Sequence, residues 1–151
     1  MERMIASRKT LLLVEDDPND VALFYRAARK AERAEEIVVA EDGDAAVRLL
    51  GVGAKPISGP AAGLPWIVLL DLKMPGKSGL EVLQWVRDQP RLRCLPVIIF
   101  TSSRERSDIT RAYELGANSY LVKPVSFDQL KEMIRELRHY WLDLNELPQG
   151  Y

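Results

Sequence analysis

Short apolar runs alternate with longer amphipathic segments along this chain. Uninterrupted runs rich in Val, Ile and Leu are typical of strands that are covered on both faces, as in a parallel sheet. Five such runs lie at 11–14, 37–40, 66–70, 97–100 and 119–122. The segments that follow them predict five helices, roughly 18–33, 43–51, 79–89, 105–115 and 126–141. Strand and helix alternate throughout, which predicts a doubly wound α/β fold around a parallel sheet.

The start of the first helix is well marked. Asp17 is a good N-cap, Pro18 suits the first helical position, and Asp20 lies in the first turn, where negative charge is favoured. Given this helix start, we interpret Asp17 and Asp20 as capping residues rather than as ligands.

The pattern divides the chain into a lead-in (1–9), a main domain (10–140) and an apolar tail (141–151). Within the domain, the segment 51–65 contains four glycines and three prolines and predicts an inserted loop. An apolar terminal segment is normally docked on something. The residues expected to form such a contact are Tyr140, Trp141, Leu144 and Leu147.

Composition argues against several classes of protein, including nucleic-acid-binding, membrane-spanning and secreted proteins. A net charge of -1 offers no electrostatic reason to expect nucleic acid. No segment approaches the roughly 20 apolar residues of a membrane span, and residues 1–10 do not form a signal peptide. The single cysteine, Cys94, excludes an internal disulfide and is interpreted as a partly buried structural thiol rather than a nucleophile. We therefore expect a cytoplasmic protein.

Charged and hydroxyl side chains stand where the apolar runs end. Glu15 and Asp16 follow the first run, Asp71 closes the third, Thr101 the fourth and Lys123 the fifth. If the strand order is 2-1-3-4-5, the first and third strands are neighbours at the topological switch point, where ligands bind. Residues 55 positions apart, Asp16 and Asp71, then lie side by side.

These residue types suit phosphoryl chemistry. Clustered carboxylates need a cation, and oxygen ligands favour Mg²⁺. An ionised Asp71 can act as a nucleophile that forms an aspartyl-phosphate. Lys123 and Thr101 can hold phosphoryl oxygens by charge and by hydrogen bond, and such positioning supplies most of the catalysis in phosphoryl transfer.

Together these motifs closely resemble the receiver domains of two-component response regulators. The resemblance rests on the acidic pair, LLDLKMPGKSG around Asp71, FTSS at Thr101 and YLVKP at Lys123, with spacings of 30 and 22 residues. It implies a flavodoxin-like fold, a histidine kinase as phosphoryl donor, Asp71 as phosphoacceptor, and a metal site completed by the backbone carbonyl of Lys73. It also implies that Tyr120 is a switch residue coupled to Thr101, and that the Lys123–Pro124 peptide bond is cis.

Three features of the chain point to a subfamily. The start DDPND, the 51–65 loop and the tail HYWLDLNELP resemble single-domain regulators that partner bacterial phytochrome histidine kinases. That resemblance suggests a homodimer held by the tail, with each arm packed on the other subunit. No output domain follows the receiver in the sequence, so we expect a stand-alone regulator.

Other functions on the same fold stay open. An aspartyl-phosphate phosphatase commonly has a second acid two residues after its nucleophile, where this chain has Lys73. A phosphorylation-independent interaction module is the other alternative, although Asp71, Thr101 and Lys123 are all retained. Flavin binding lacks a clear phosphate loop after the first strand. Lys73 and Ser103 are candidates for tuning dephosphorylation.

Overall fold

A five-stranded parallel sheet forms the centre of the computed structural model, which describes residues 9–29, 36–51 and 64–148. The strand order is β2-β1-β3-β4-β5, which confirms the predicted order. The strands are β1 (Thr10–Val14), β2 (Glu36–Ala40), β3 (Ile67–Leu70), β4 (Val97–Thr101) and β5 (Ser119–Val122).

Five α-helices connect and follow the strands. They are α1 (Pro18–Arg29), α2 (Gly43–Leu50), α3 (Gly79–Asp88), α4 (Arg106–Glu114) and α5 (Phe127–Arg138). A short 3₁₀ turn (Pro90–Leu92) precedes β4, and a π-helical turn (His139–Leu144) continues α5. Among the described residues, no helix has the length and hydropathy needed to span a bilayer.

Apolar cores on both faces of the sheet explain why apolar and polar residues do not alternate along the strands. Even-numbered residues of β1, such as Leu12 and Val14, pack in a core with residues of α2, α3 and α4. The odd-numbered Leu11 and Leu13 pack on the opposite face with residues of α1 and α5. Because successive side chains of a strand point to opposite faces, a sheet covered on both sides needs apolar residues at every position.

The sheet register places the predicted site residues together. Strands β1 and β3 pair in parallel, with Val14 opposite Leu70. The next residue of each strand, Glu15 and Asp71, therefore emerges at the same edge. This is the switch point, where β1 is flanked by β2 on one side and β3 on the other.

The apolar tail packs on its own domain through Trp141, Leu142 and Leu147. Leu142 is 2% exposed, and its carbonyl oxygen accepts a hydrogen bond from Lys9 Nζ. Lys9 also lies over the ring of Trp66, at 4.6 Å from its centroid. Because Lys9 and Trp66 precede β1 and β3, this contact lies near the amino edge of the sheet, away from the switch point.

Parts of the sequence prediction fall outside the described residues. These are most of the lead-in (1–8), most of the inserted loop (52–63), the predicted end of the first helix (30–33) and the last residues of the tail (149–151). At the start of α1, the Asp17 carboxylate accepts a hydrogen bond from the Asn19 backbone at 2.9 Å. That contact confirms the capping role predicted for Asp17.

The contrast between Leu142 and Leu144 tests the docking of the tail. Replacing Leu142 by Ala removes buried methyl groups and should lower the free energy of unfolding by about 2–4 kcal/mol. Leu144 is 58% exposed, so Leu144→Ala is the matched control and should change it by less than about 0.5 kcal/mol. Urea denaturation measures both; equal effects would contradict the docked tail.

Candidate functional site

Side chains predicted to meet stand at the carboxyl edge of the sheet. Glu15, Asp71 and Lys123 each lie just past a strand, and Thr101 is the last residue of β4. Backbone hydrogen bonds continue the ladder beyond the strands: the Asp71 N–H donates to the Val14 carbonyl at 3.1 Å, and the Lys123 N–H to the Thr101 carbonyl at 2.8 Å. The sheet therefore fixes the starting point of these functional side chains.

The ammonium of Lys123 is the centre of the site. It donates to Glu15 Oε2 at 2.5 Å, Asp20 Oδ2 at 2.8 Å and Asp71 Oδ2 at 3.1 Å. A lysine ammonium has three donors, so these contacts use all of them. Burial disfavours the charged form, but the hydrogen bonds to Asp20 and Glu15 and the charge of Asp71 outweigh it. The pKa of Lys123 consequently lies above its usual value.

Glu15 is the most deeply buried carboxylate of this group, with a side chain only 3% exposed. Burial raises its pKa from 4.5 to about 7. The hydrogen bonds from Lys123 and from the Asp17 backbone lower that pKa in part, whereas the charge of Asp71 raises it further. The site thus holds a carboxylate that a proton or an additional cation would stabilise.

Three carboxylates can share one ion at this edge. Glu15, Asp16 and Asp71 can each bring an oxygen within 4.8 Å of the others. Glu15 and Asp71 are buried and Asp16 is exposed, so the cluster opens to solvent on one side. Carboxylate oxygens are the ligands of hard cations such as Mg²⁺. A cation would also stabilise the charged form of Glu15, whose pKa is raised chiefly by burial. The residues present therefore fit a divalent metal.

An open pocket of about 370 Å³ lies over these groups. It contains the residues predicted from the strand ends together with neighbours from the loops and from α1. The lining residues are Glu15, Asp16, Asp17, Asp20, Asp71, Lys73, Thr101, Ser102, Ser103 and Lys123.

The loop after β4 links the pocket to Tyr120. Thr101 is 1% exposed, and its hydroxyl accepts a long hydrogen bond from the Ser103 N–H at 3.4 Å. The Ser103 carbonyl in turn accepts from the Tyr120 hydroxyl at 2.9 Å. The Ser103 hydroxyl donates to Asp108 at 2.5 Å, which ties the loop to the first turn of α4. Burial, together with the charges of Asp108 and Asp71, raises the pKa of Tyr120.

Close packing at Gly79 holds the start of α3 against the Asp71 backbone. A Cβ at Gly79 would lie 2.0 Å from the Asp71 carbonyl oxygen, closer than any side chain could be accommodated. The Gly79 N–H also donates to the Leu72 carbonyl at 3.0 Å. The glycine thus permits the tight connection after β3; in the sequence it is visible only as the end of the motif LLDLKMPGKSG.

The structure departs from the sequence analysis at two positions of the site. Asp20, interpreted as a helix-capping residue, also contacts Lys123, and its only signal in the sequence was its place on the helix that begins at this edge. The cis peptide bond at Lys123–Pro124 is not found: the described residues contain no cis peptide, so this bond is trans. The trans form is the more stable one for X–Pro by about 0.5–1 kcal/mol.

Of the remaining predicted residues, Lys73 lies at the pocket and the tail residues lie away from it. Lys73 lines it, with an exposed side chain and a backbone N–H that points to Asp71 Oδ1 at 3.4 Å. The tail residues do not join it. Trp141 packs with the core beside α1 and α5, Leu147 packs with the opposite core, and both Tyr140 and Leu144 are exposed.

Comparison with known proteins identifies the family and the fold. Residues 11–135 match the family model described as the response regulator receiver domain. The chain belongs to this family. Receiver domains are signalling domains that partner with histidine kinases and bind a divalent metal at an acidic pocket.

This receiver domain is similar to phytochrome response regulators. It is 33% identical to response regulator Rcp1 of Synechocystis over 140 residues, which cover 93% of each chain. The phosphorylated cyanobacterial phytochrome response regulator RcpA superposes with a TM-score of 0.82 at 31% identity, covering 95% of this chain and 100% of RcpA. The bacteriophytochrome response regulator AtBRR is 45% identical, with a TM-score of 0.69 and coverage of 92% and 99%. A Mn²⁺-bound form of Rcp1, at a TM-score of 0.79 and 32% identity, covers 93% of this chain and 99% of that one.

The raised pKa of Glu15 makes the stability of the receiver domain pH-dependent when no metal is added. Because the folded state retains a proton up to about pH 7 that the unfolded state releases near 4.5, the stability gained from this proton is lost as the pH rises through 7. In EDTA, the free energy of unfolding of the wild type should fall relative to Glu15→Gln by about 1–3 kcal/mol between pH 5 and 8.

Urea denaturation across that pH range measures the difference. Saturating Mg²⁺ should restore the stability of the wild type at pH 8, since a cation replaces the proton. Glu41→Gln is the matched control, because Glu41 is exposed and does not line the pocket. If the free energy of unfolding depends on pH in the same way in the wild type and in Glu15→Gln, the prediction is wrong, because the pKa of Glu15 would then not differ between the folded and unfolded states.

Proposed function

We propose that this receiver domain accepts a phosphoryl group on Asp71 from a histidine kinase and changes its interaction surface in response. The observation that carries the proposal is the position of the Asp71 carboxylate: the side chain is 9% exposed, lies at the switch point and is 3.1 Å from the Lys123 ammonium. A buried carboxylate kept next to a cation at the mouth of a pocket is available as a nucleophile.

In the transfer step, an Asp71 carboxylate oxygen attacks the phosphorus of phosphohistidine. The P–N bond breaks, its electron pair stays on the imidazole nitrogen, and an acyl phosphate forms. Lys123 pairs with one phosphoryl oxygen and the Thr101 hydroxyl donates to another. A Mg²⁺ ion held by Glu15, Asp16, Asp71 and the Lys73 carbonyl would supply the remaining charge neutralisation.

The contacts of Thr101 suggest how phosphorylation would change the interaction surface. The phosphoryl group adds a charge of about -1.5 to -2 at Asp71. If Thr101 turns its hydroxyl toward that charge, the contact between Thr101 and the Ser103 N–H changes, and with it the loop whose carbonyl holds Tyr120. We therefore assign Thr101 and Tyr120 to a switch that carries the signal from the pocket to the surface near α4 and β5.

The similarity to RcpA, Rcp1 and AtBRR supports a phytochrome-type histidine kinase as the phosphoryl donor. The match spans nearly the whole length of these regulators. The single cysteine, exposed and free, fits a reducing compartment, so a cytoplasmic location is part of the proposal.

A phosphatase or a phosphorylation-independent module would use the same fold differently. The position two residues after Asp71 is Lys73, whose side chain is exposed and cannot serve as the second acid of a phosphatase. The intact group of Asp71, Thr101 and Lys123 favours a phosphorylation switch over a silent docking module. A stable phosphoryl adduct separates the switch from both alternatives.

Intact mass after incubation with acetyl phosphate tests the phosphoacceptor. We expect a single phosphoryl adduct that requires Mg²⁺ and is absent in Asp71→Asn, because only a carboxylate can form the acyl phosphate. Asp88→Asn, which removes an exposed carboxylate of α3, should retain the adduct. An adduct that survives in Asp71→Asn would place the chemistry elsewhere. Transfer from a phytochrome histidine kinase, compared with a kinase of another sensor class, tests the partner.

The tail also supports a homodimer as part of the proposal. Tyr140 and Leu144 lie one helical turn apart and are 51% and 58% exposed, which leaves apolar surface that a second copy of the chain could cover.

The double variant Tyr140→Ser, Leu144→Ser tests this dimer by light scattering. The wild type should have twice the monomer mass, and the variant should dissociate at a concentration at least about tenfold higher, since central apolar contacts dominate such interfaces. Leu23→Ser, at an exposed apolar residue of α1, is the control and should remain dimeric. A monomeric wild type would refute the dimer.

A further inference from the structure

The three carboxylates around Lys123 are not equivalent. Glu15 and Asp71 also belong to the acidic cluster that fits a divalent cation, whereas Asp20 does not. Asp20 comes from the first turn of α1, and its side chain is 37% exposed, against 3% for Glu15 and 9% for Asp71. Asp20 is therefore the one of these three partners whose charge is not shared with the metal cluster.

We propose that Asp20 is a positioning residue, which anchors the Lys123 ammonium over the pocket while Glu15 and Asp71 serve the metal and the phosphoryl group. This role rests on the proposed function, because it concerns the same site. All three donors of Lys123 are used in the present contacts, so a phosphoryl oxygen must replace one of them. The donor given to Asp71 can pass to an oxygen on the phosphorylated side chain, while the contact with Asp20 persists.

The start of α1 holds Asp20 in place for this role. The Asp17 carboxylate caps the helix through the Asn19 N–H at 2.9 Å, and the Asp17 carbonyl accepts from the Val21 N–H at 3.1 Å. The helix dipole at this end also favours a negative side chain in the first turn. Asp20 thus presents a fixed carboxylate to Lys123 from outside the sheet edge.

If Asp20 acts only through its charge, its loss should strengthen the binding of a phosphoryl mimic. If it anchors Lys123, its loss should weaken that binding. Removing any carboxylate from an acidic pocket lowers its repulsion of an anion, and should therefore tighten the binding of a phosphoryl mimic. Removing the anchor of Lys123 should instead weaken that binding, because the ammonium is free to leave the phosphoryl position. The two explanations can be separated by a neighbouring carboxylate that lines the pocket without contacting Lys123.

Asp17 provides that matched control. Asp17→Asn and Asp20→Asn each remove one negative charge from residues lining the same pocket, three positions apart on the chain. Asn is also a good N-cap, so Asp17→Asn should retain the start of the helix. Asp20→Glu keeps the charge of the anchor and serves as the conservative variant.

Calorimetric titration of the full chain with Mg²⁺ alone, and then with beryllofluoride at saturating Mg²⁺, measures the two affinities separately. We expect Asp20→Asn to bind beryllofluoride about three- to tenfold more weakly than Asp17→Asn, the range of a charge-assisted hydrogen bond that is partly exposed. The Mg²⁺ affinities of these two variants should agree, because neither residue belongs to the metal cluster. Asp20→Glu should recover most of the loss.

Beryllofluoride binding by Asp20→Asn that equals or exceeds that of Asp17→Asn would overturn the anchoring role. A parallel loss of Mg²⁺ affinity in Asp20→Asn alone would overturn it as well, since it would indicate structural damage to the pocket. If the wild type forms the acetyl phosphate adduct, these results bear on Asp20 only. If the wild type neither forms the adduct nor binds beryllofluoride, the proposed function fails and the role of Asp20 fails with it.

Discussion

The contact between one buried ammonium and its surrounding carboxylates is the constraint on which the site depends. Glu15 and Asp71 emerge from neighbouring strands into a buried position, where two negative charges repel each other and lose hydration. Lys123, from the far strand β5, reaches both of them and Asp20. The ammonium partly neutralises these carboxylates, but burial still raises the pKa of Glu15 above its usual value. A divalent cation would add further positive charge to this cluster.

A short series of hydrogen bonds connects the pocket to residues of β5 and α4. Thr101 ends a fully buried strand, so its hydroxyl can respond to the pocket while its backbone stays in the ladder. Ser103 contacts Thr101 through its N–H, Tyr120 through its carbonyl and Asp108 through its hydroxyl. In the proposed switch, a displacement at Thr101 would reach both β5 and α4, because Ser103, in the loop between β4 and α4, is bonded to a residue of each.

Much of the fold could be predicted from the sequence for a simple physical reason. Strands covered on both faces need apolar residues at every position, as in Leu11–Val14, and helices begin at residues such as Asp17 and Ser126 that cap their first N–H groups. The end of α5 was harder to predict. The apolar pattern continued the last helix to 141, but its regular turns stop at Arg138 and a wider π-helical turn follows. That turn buries Leu142 through packing with distant parts of the chain, which local propensity does not encode.

In the site, too, some features could be predicted from the sequence and others depend on tertiary packing. The sequence alone determined that Glu15, Asp16, Asp71, Thr101 and Lys123 share one edge, because the carboxyl ends of parallel strands must lie together. It did not determine the role of Asp20, since a carboxylate in a first helical turn is already explained by the helix dipole. Only the tertiary structure, in which α1 packs against α5, brings that carboxylate to 2.8 Å from Lys123. Nor did it determine the trans bond at Lys123–Pro124, because the two isomers of an X–Pro bond differ by only about 0.5–1 kcal/mol and the surrounding structure decides between them.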